Sequence, residues 1–293
     1  MSSFSNTSRL LNCLVAFATK TPDFPCPLYD KGFQLETIEP VILLPDGHAA
    51  KPDIQFRRNE NQLLFFECKD GACERDQLER YKQLSIDDLK RGRVTSLPGS
   101  SLNLFDLSYF GTKGKEDKLM YSVVNMGNPF PLVILDEHEV FWHASSGQFK
   151  DPLLTAIFGK IEFERPVPLS FIPFCASDDD DTIIICLLQH FMSRFEYSFT
   201  LDELLNDLFP QVVNYYSVKG KDEMKGRIGR ILKTIMMHDE FSSALSYDNN
   251  TQRYTFRTMA PVAYRRKCQK FIEDCSKKAK ETLYIRLEDF DET

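Results

Sequence analysis

The stretch KPDIQFRRNENQLLFFECK, residues 51–69, constrains the fold more than any other part of the chain. Asp53 begins an extended run that continues to Phe56. Asn59–Asn61 supplies a turn, and Leu63–Lys69 brings the chain back. The returning run is apolar through Leu63-Leu64-Phe65-Phe66, which predicts a strand covered on both faces and central in its sheet. Side chains two apart in a strand point the same way, so Glu67 and Lys69 share one face, with Asp53 across the hairpin. A carboxylate and an ammonium at the end of a buried strand are costly unless something uses them.

Around this hairpin the patterning is mixed. Ser8–Thr19 has apolar residues at helical spacing and stops at Thr21-Pro22. Phe33–Leu44 reads as extended, with a turn at Asp46-Gly47. Cys73–Leu84 returns to helical spacing, and further strands are expected at Tyr121–Val124, Leu132–Leu135 and Val140–His143. That order predicts an α/β domain, a mixed central sheet flanked by helices, over residues 1–164. Residues 165–181, RPVPLSFIPFCASDDDD, punctuate the chain with three prolines and four consecutive aspartates and read as a Pro/Asp-rich linker, the acidic run being either solvated linker or a helix N-cap. Residues 182–293 then become mainly helical: Thr182–Phe195, Leu201–Phe209 and Asp222–His238, an alternating hairpin at Ala244–Arg257, and a basic helix at Pro261–Leu283.

With 293 residues, 42% of them hydrophobic, and 24 phenylalanines, the chain can bury a sizeable core. Its apolar runs fall short of the ~20 residues that cross a bilayer, and the N-terminus lacks a secretory cleavage pattern, so no membrane segment and a cytoplasmic location are expected. The eight cysteines are scattered without a CxxC pair and read as free thiols. Net charge is −7, yet residues 217–286 hold 16 Lys/Arg against 8 Asp/Glu, an asymmetry expected where one segment faces a polyanion.

Two carboxylates and a lysine are a set suited to phosphodiester hydrolysis. Asp53 and Glu67 offer hard oxygen ligands to a divalent cation, and Lys69 can orient or deprotonate an attacking water. Pro52-Asp53 followed by Glu67-Cys68-Lys69 resembles the motif of the PD-(D/E)XK nuclease superfamily, in pattern over about residues 8–145. The resemblance implies a restriction-endonuclease-like core, Mg²⁺ or Mn²⁺ as cofactor, and a further acid upstream, for which Glu39 and Glu36 are both candidates. Gln77 and Tyr81, spaced QxxxY on the following helix, resemble an element of exonuclease-type members whose side chains face the active site. His48, His138 and His143 have no serine or cysteine partner that would suggest a triad.

The C-terminal part resembles a winged-helix domain in element order and charge. Apolar positions 224, 228, 231, 232 and 235 form the core stripe of its third helix, leaving Lys221, Lys225, Arg227 and Arg230 to face double-stranded DNA, with Arg253 and Arg257 on the wing. Arg265, Arg266, Lys267, Lys270, Lys277, Lys278 and Lys280 add a basic tail. These features together predict a metal-dependent DNA endonuclease of restriction, anti-phage defence or mobile-element processing. A homodimer or partner subunit is expected, because two strands need two centres. A non-catalytic nucleic-acid-binding or regulatory protein that keeps the nuclease fold is the alternative.

Overall fold

The computed structural model describes residues 5–91, 101–192, 194, 196–237, 244–257 and 266. They fall into two units. One holds the described residues of 5–175 together with 209–222, and the other those of 176–208 and from 223 onward.

In the first unit, α1 (Asn6–Phe17) and the short α2 (Pro27–Asp30) precede β1 (Phe33–Ile38), β2 (Ile42–Leu43), β3 (Ala49–Ala50), β4 (Ile54–Arg58) and β5 (Gln62–Lys69). Next come α3 (Arg75–Gln83), α4 (Ile86–Arg91), β6 (Leu104–Thr112), α5 (Glu116–Asn125), β7 (Leu132–Leu135), β8 (Glu139–Trp142), α6 (Pro152–Phe158) and β9 (Ile161–Glu162). Seven of these strands form one mixed sheet in the order β1-β4-β5-β6-β7-β8-β9. The β5–β6 and β6–β7 pairs are parallel and the others antiparallel. Leu63–Phe66 are fully buried, which is why β5 takes an inner place. One face packs Phe66 against Phe56, Phe110 and Phe158. On the other face Leu63, Phe65, Leu78, Tyr81, Tyr109 and Leu119 join a single apolar cluster.

Several sequence expectations need correction. The extended run 33–44 is two strands, interrupted at Glu39, whose φ of 54° lies in the left-handed region. Tyr121–Val124 is not a strand but part of α5. Leu119, Ser122 and Val123 face inward at helical spacing, while Tyr121 is 74% and Val124 65% exposed. The sequence reading also passed over β6, the neighbour of β5, whose residues from Phe105 on are all buried. The Pro-rich half of the segment read as a linker packs into the first unit. Asn12 Oδ1 accepts the Phe171 and Ile172 N–H groups, and Ile172 and Phe174 are fully buried.

The second unit contains α7 (Asp180–Met192), β10 (Glu196–Phe199), α8 (Leu201–Leu208), the body of α9 (Val218–Met237), β11 (Leu245–Asp248) and β12 (Arg253–Arg257). Asp179 caps α7, its Oδ1 accepting the Thr182 N–H at 2.6 Å, so part of the aspartate run serves as a helix start. Met224, Ile228, Ile231, Leu232 and Ile235 are all buried along α9. The hairpin is joined by β10, a strand not expected from sequence, into an antiparallel sheet of order β10-β12-β11. Phe199, Tyr254 and Phe256 of this sheet form an aromatic stack with Phe191 of α7. The basic helix expected at 261–283 lies outside the described residues apart from Arg266.

Candidate active site

The centre of the first unit is assembled by one hairpin and the helix that follows it. Antiparallel register sets Ile54 opposite Phe66, so the Asp53 N–H reaches the Phe66 carbonyl at 3.0 Å. The Cys68 N–H in turn donates to Asp53 Oδ2 at 2.6 Å. Backbone hydrogen bonds thus fix the aspartate from both sides. Strand alternation turns Glu67 and Lys69 to the same face, and Lys69 Nζ lies 3.1 Å from Glu67 Oε1. Glu74, at the start of α3, is 3.8 Å from the same ammonium.

Helix α3 covers this face. Gln77 and Tyr81 are one turn apart and both reach Glu67. Gln77 Nε2 donates to Oε1 at 2.8 Å, and the Tyr81 hydroxyl donates to Oε2 at 2.5 Å. Gln77 Nε2 also lies 3.2 Å from the Tyr81 oxygen, closing a three-residue network. Glu67 is 4% exposed, so these bonds and Lys69 replace its hydration.

The electrostatics follow from that crowding. Burial first, and the Glu67 carboxylate second, push Asp53 well above the usual carboxylate range. Burial also raises Glu67, opposed by Lys69, Tyr81 and Gln77. For Lys69, burial works downward, but the Glu67 carboxylate, helped by Glu74 and Asp53, outweighs it and the ammonium is raised. Lys69 is therefore a firm cation, suited to orienting water or offsetting charge rather than to taking a proton. Tyr81 is held far above its ordinary value by burial and by Glu67, which keeps it a neutral donor.

Two buried carboxylates that repel each other suit a hard divalent cation. Mg²⁺ commonly takes one or two carboxylates and completes its shell with water and phosphate oxygens. Among the described residues no cluster of three or more His, Cys, Asp or Glu side chains is arranged to hold a metal. Gln77 Oε1 is buried without a hydrogen-bond partner among the described residues, an acceptor of the kind a hydrated cation satisfies.

The two upstream acids separate. Glu39 donates its N–H to the Asp53 carbonyl at 2.8 Å, and its carboxylate adds to the upward pressure on Asp53. Glu36 instead accepts from Arg57 Nε at 2.9 Å. A shift in the β1–β4 pairing between Leu35 and Thr37 accompanies this split. His48 is exposed, and His143 lies 3.6 Å from Glu116.

Of the cations assigned to DNA, four are tied to carboxylates within the second unit. Lys225 pairs with Asp202 at 3.2 Å, Arg227 with Asp180 at 3.0 Å, Arg253 with Glu203 at 2.8 Å and Arg257 with Glu196 at 2.7 Å. Arg227 also reaches the Ala176 carbonyl. Lys221 and Arg230 make no ion pair among the described residues. The sequence reading missed Tyr109, which sits opposite Glu67 in the parallel β5–β6 register. It is fully buried, and its hydroxyl finds no hydrogen-bond partner among the described residues. The alternation Phe105, Leu107, Tyr109 was the available signal.

Comparison with known proteins adds a family. The MJECL32 domain model matches residues 6–172, and the chain belongs to that family. A relative from Methanocaldococcus jannaschii, described as uncharacterized protein MJECL32, is 22% identical over 191 residues, covering 60% of this chain and 42% of the relative. The chain thus spans less than half of that relative's length. No solved structure matches.

Proposed function

We propose that this member of the MJECL32 domain family is a divalent-metal-dependent nuclease that hydrolyses phosphodiester bonds in DNA, centred on Asp53, Glu67 and Lys69. The observation that carries the reading is the convergence of a backbone-anchored aspartate with a glutamate clamped by Lys69, Gln77 and Tyr81. The mixed sheet, with this set at the joint of an antiparallel hairpin and under a helix, supports a restriction-endonuclease-like core.

Asp53 and Glu67 would hold Mg²⁺ or Mn²⁺, with Glu39 nearby. The bound ion would supply Lewis acidity and neutralise charge on the phosphate. Lys69 aligns the attacking water and offsets charge developing in the transition state. Tyr81 and Gln77 hold the Glu67 carboxylate in place and favour its ionised form, and the Cys68 N–H does the same for Asp53.

The element order of the second unit, helix, strand, helix, helix and hairpin, supports a winged-helix-like module. Its paired cations would have to exchange carboxylate partners for phosphates, which makes DNA contact there weak and strongly salt-dependent. Cutting both strands needs two centres, so a homodimer or a partner subunit completes the proposal, in a cytoplasmic role in restriction, anti-phage defence or mobile-element processing. Among the described residues no helix is long and apolar enough to cross a membrane.

The test is cleavage of supercoiled and linear plasmid with Mg²⁺ or Mn²⁺, wild type beside Glu67→Ala and Lys69→Ala. Nicking or linearisation that falls about 100-fold or more in both variants is expected. DNA binding without cleavage under any metal would support the non-catalytic alternative instead.

A further inference from the structure

A groove of about 730 Å³ lies along the outer edge of the sheet, beside β1 and within the first unit. That size is ordinary for a small-ligand site. Its walls come from the end of α1, from α2, from β1 and β4, and from residues 211–215. The last of these segments is pinned to the sheet edge by the Ile38–Tyr216 bridge and by the Ser217 N–H on the Ile38 carbonyl at 3.0 Å.

The lining has an unusual composition for a surface groove. Tyr29 and Tyr215 are large aromatics that stay 47% and 40% exposed. Gln211 and Asn214 are exposed amides, and Lys20 an exposed ammonium, none with a side-chain hydrogen bond or ion pair among the described residues. Arg57 is neutralised within the lining by Glu36 and also reaches Gln34 and the Asn59 carbonyl, so Lys20 is the cation the groove presents. A second large cavity of the same unit has the opposite character. Its walls include Asp23, Asp136, Glu137, Glu139, Glu162 and Glu164 against Arg165, a lining that repels phosphate.

Position links the groove to the candidate active site. Asp53, Gln55 and Arg57 alternate onto one side of the β4 line, so Arg57 stands about 13 Å from Asp53 along the strand. At its other boundary β1 runs from Gln34 through Ile38 to Glu39, whose N–H is bonded to Asp53. Gln55, between Asp53 and Arg57, is fully buried and Ile38 is bridged to Tyr216, so the groove and the centre share strands β1 and β4 rather than an open path.

We propose that the groove is a nucleotide subsite. A base stacks on Tyr29 or Tyr215, Gln211 and Asn214 meet its polar edge, and Lys20 meets an adjoining phosphate. Stacking on aromatic side chains is tolerant of sequence because every base presents a π-face. The inference rests on the nuclease reading for its choice of a strand as occupant, and it adds that the strand is engaged unpaired on the unit that carries the cutting centre.

The test is fluorescence anisotropy in metal-free buffer, with labelled oligothymidine, its abasic counterpart and AMP as probes. Tyr29→Ala and Tyr215→Ala are expected to weaken oligothymidine binding about tenfold each, and the Phe variants to retain it. The abasic strand should bind wild type about tenfold more weakly. Tyr121→Ala, in α5 and outside the groove, should leave binding unchanged. Tyrosine-dependent binding of AMP without oligothymidine would keep the nucleotide chemistry and make the occupant a free nucleotide. Equal binding by the alanine variants, or by the abasic strand, would overturn the subsite while leaving plasmid cleavage and its loss in Glu67→Ala to support the nuclease. Absence of binding by every probe would overturn the subsite, and absence of cleavage would separately count against the nuclease.

Discussion

Tyr81→Phe removes a single hydroxyl from the centre and leaves the ring in place. That hydroxyl donates to Glu67 Oε2 at 2.5 Å and accepts from Gln77 at 3.2 Å, inside a site where Tyr81 itself is 1% exposed. A hydrogen bond to a charged group contributes about 1.5–3 kcal/mol net, and phenylalanine introduces no larger void than the missing oxygen. The expected cost is therefore about 2 kcal/mol. The lone tryptophan, Trp142, lies in β8 of the first unit, so its fluorescence during urea unfolding reports on the unit that holds the site. A second readout separates placement from bulk stability. The Tyr81 bond lowers the proton affinity of Glu67, so its loss should move the pH midpoint of Mn²⁺ binding upward. A stability change below about 0.5 kcal/mol together with an unmoved midpoint would refute the claim that Tyr81 holds Glu67.

Two further outcomes follow from the same structure. Asp53 has a raised proton affinity in the folded chain, so its stabilising protonated form is fully present below the unfolded value of about 3.9 and lost as pH rises through the folded one. Asp53→Asn, which keeps an acceptor for the Cys68 N–H, should gain stability relative to wild type as pH rises in metal-free buffer. Mg²⁺ should narrow the gap, and a gap that stays constant with pH would contradict the assignment. Gly147→Ala would drive a Cβ into the Pro129 carbonyl and set it 2.7 Å from the Phe130 carbonyl carbon, all backbone atoms that cannot swing aside. A loss of about 1–3 kcal/mol or more is expected in Trp142-detected unfolding, and a neutral result would mean that the 129–147 approach is looser than the structure has it.

Much of the centre was legible because its signals are local. The apolar run before Glu67 marks an inner strand, a hairpin brings Asp53 back within reach, and period-two alternation turns Glu67 and Lys69 together. Gln77 and Tyr81 share a helix face for the same reason of short-range geometry, as do the buried positions along α9. Tyr121–Val124 misled because a short apolar run fits a strand or one side of a helix, and only the inward packing of Leu119 and Val123 decides between them.

The sequence by itself determined the β4–β5 hairpin, the shared face of Glu67 and Lys69, and the helix that carries Gln77 and Tyr81, since each depends on neighbours a few residues away. Tertiary structure alone decided that β6 lies beside β5 with Tyr109 opposite Glu67, because parallel register is set across a long connection. It decided likewise that Glu39, and not Glu36, stands next to Asp53, through an irregularity in strand pairing and the pull of Arg57. It also decided that Arg227 and Arg253 face Asp180 and Glu203, partners about 50 residues away in sequence. Charge composition marks a polyanion-facing segment, but only folding shows which cations are already neutralised, because Coulomb energy depends on distance in space and not along the chain.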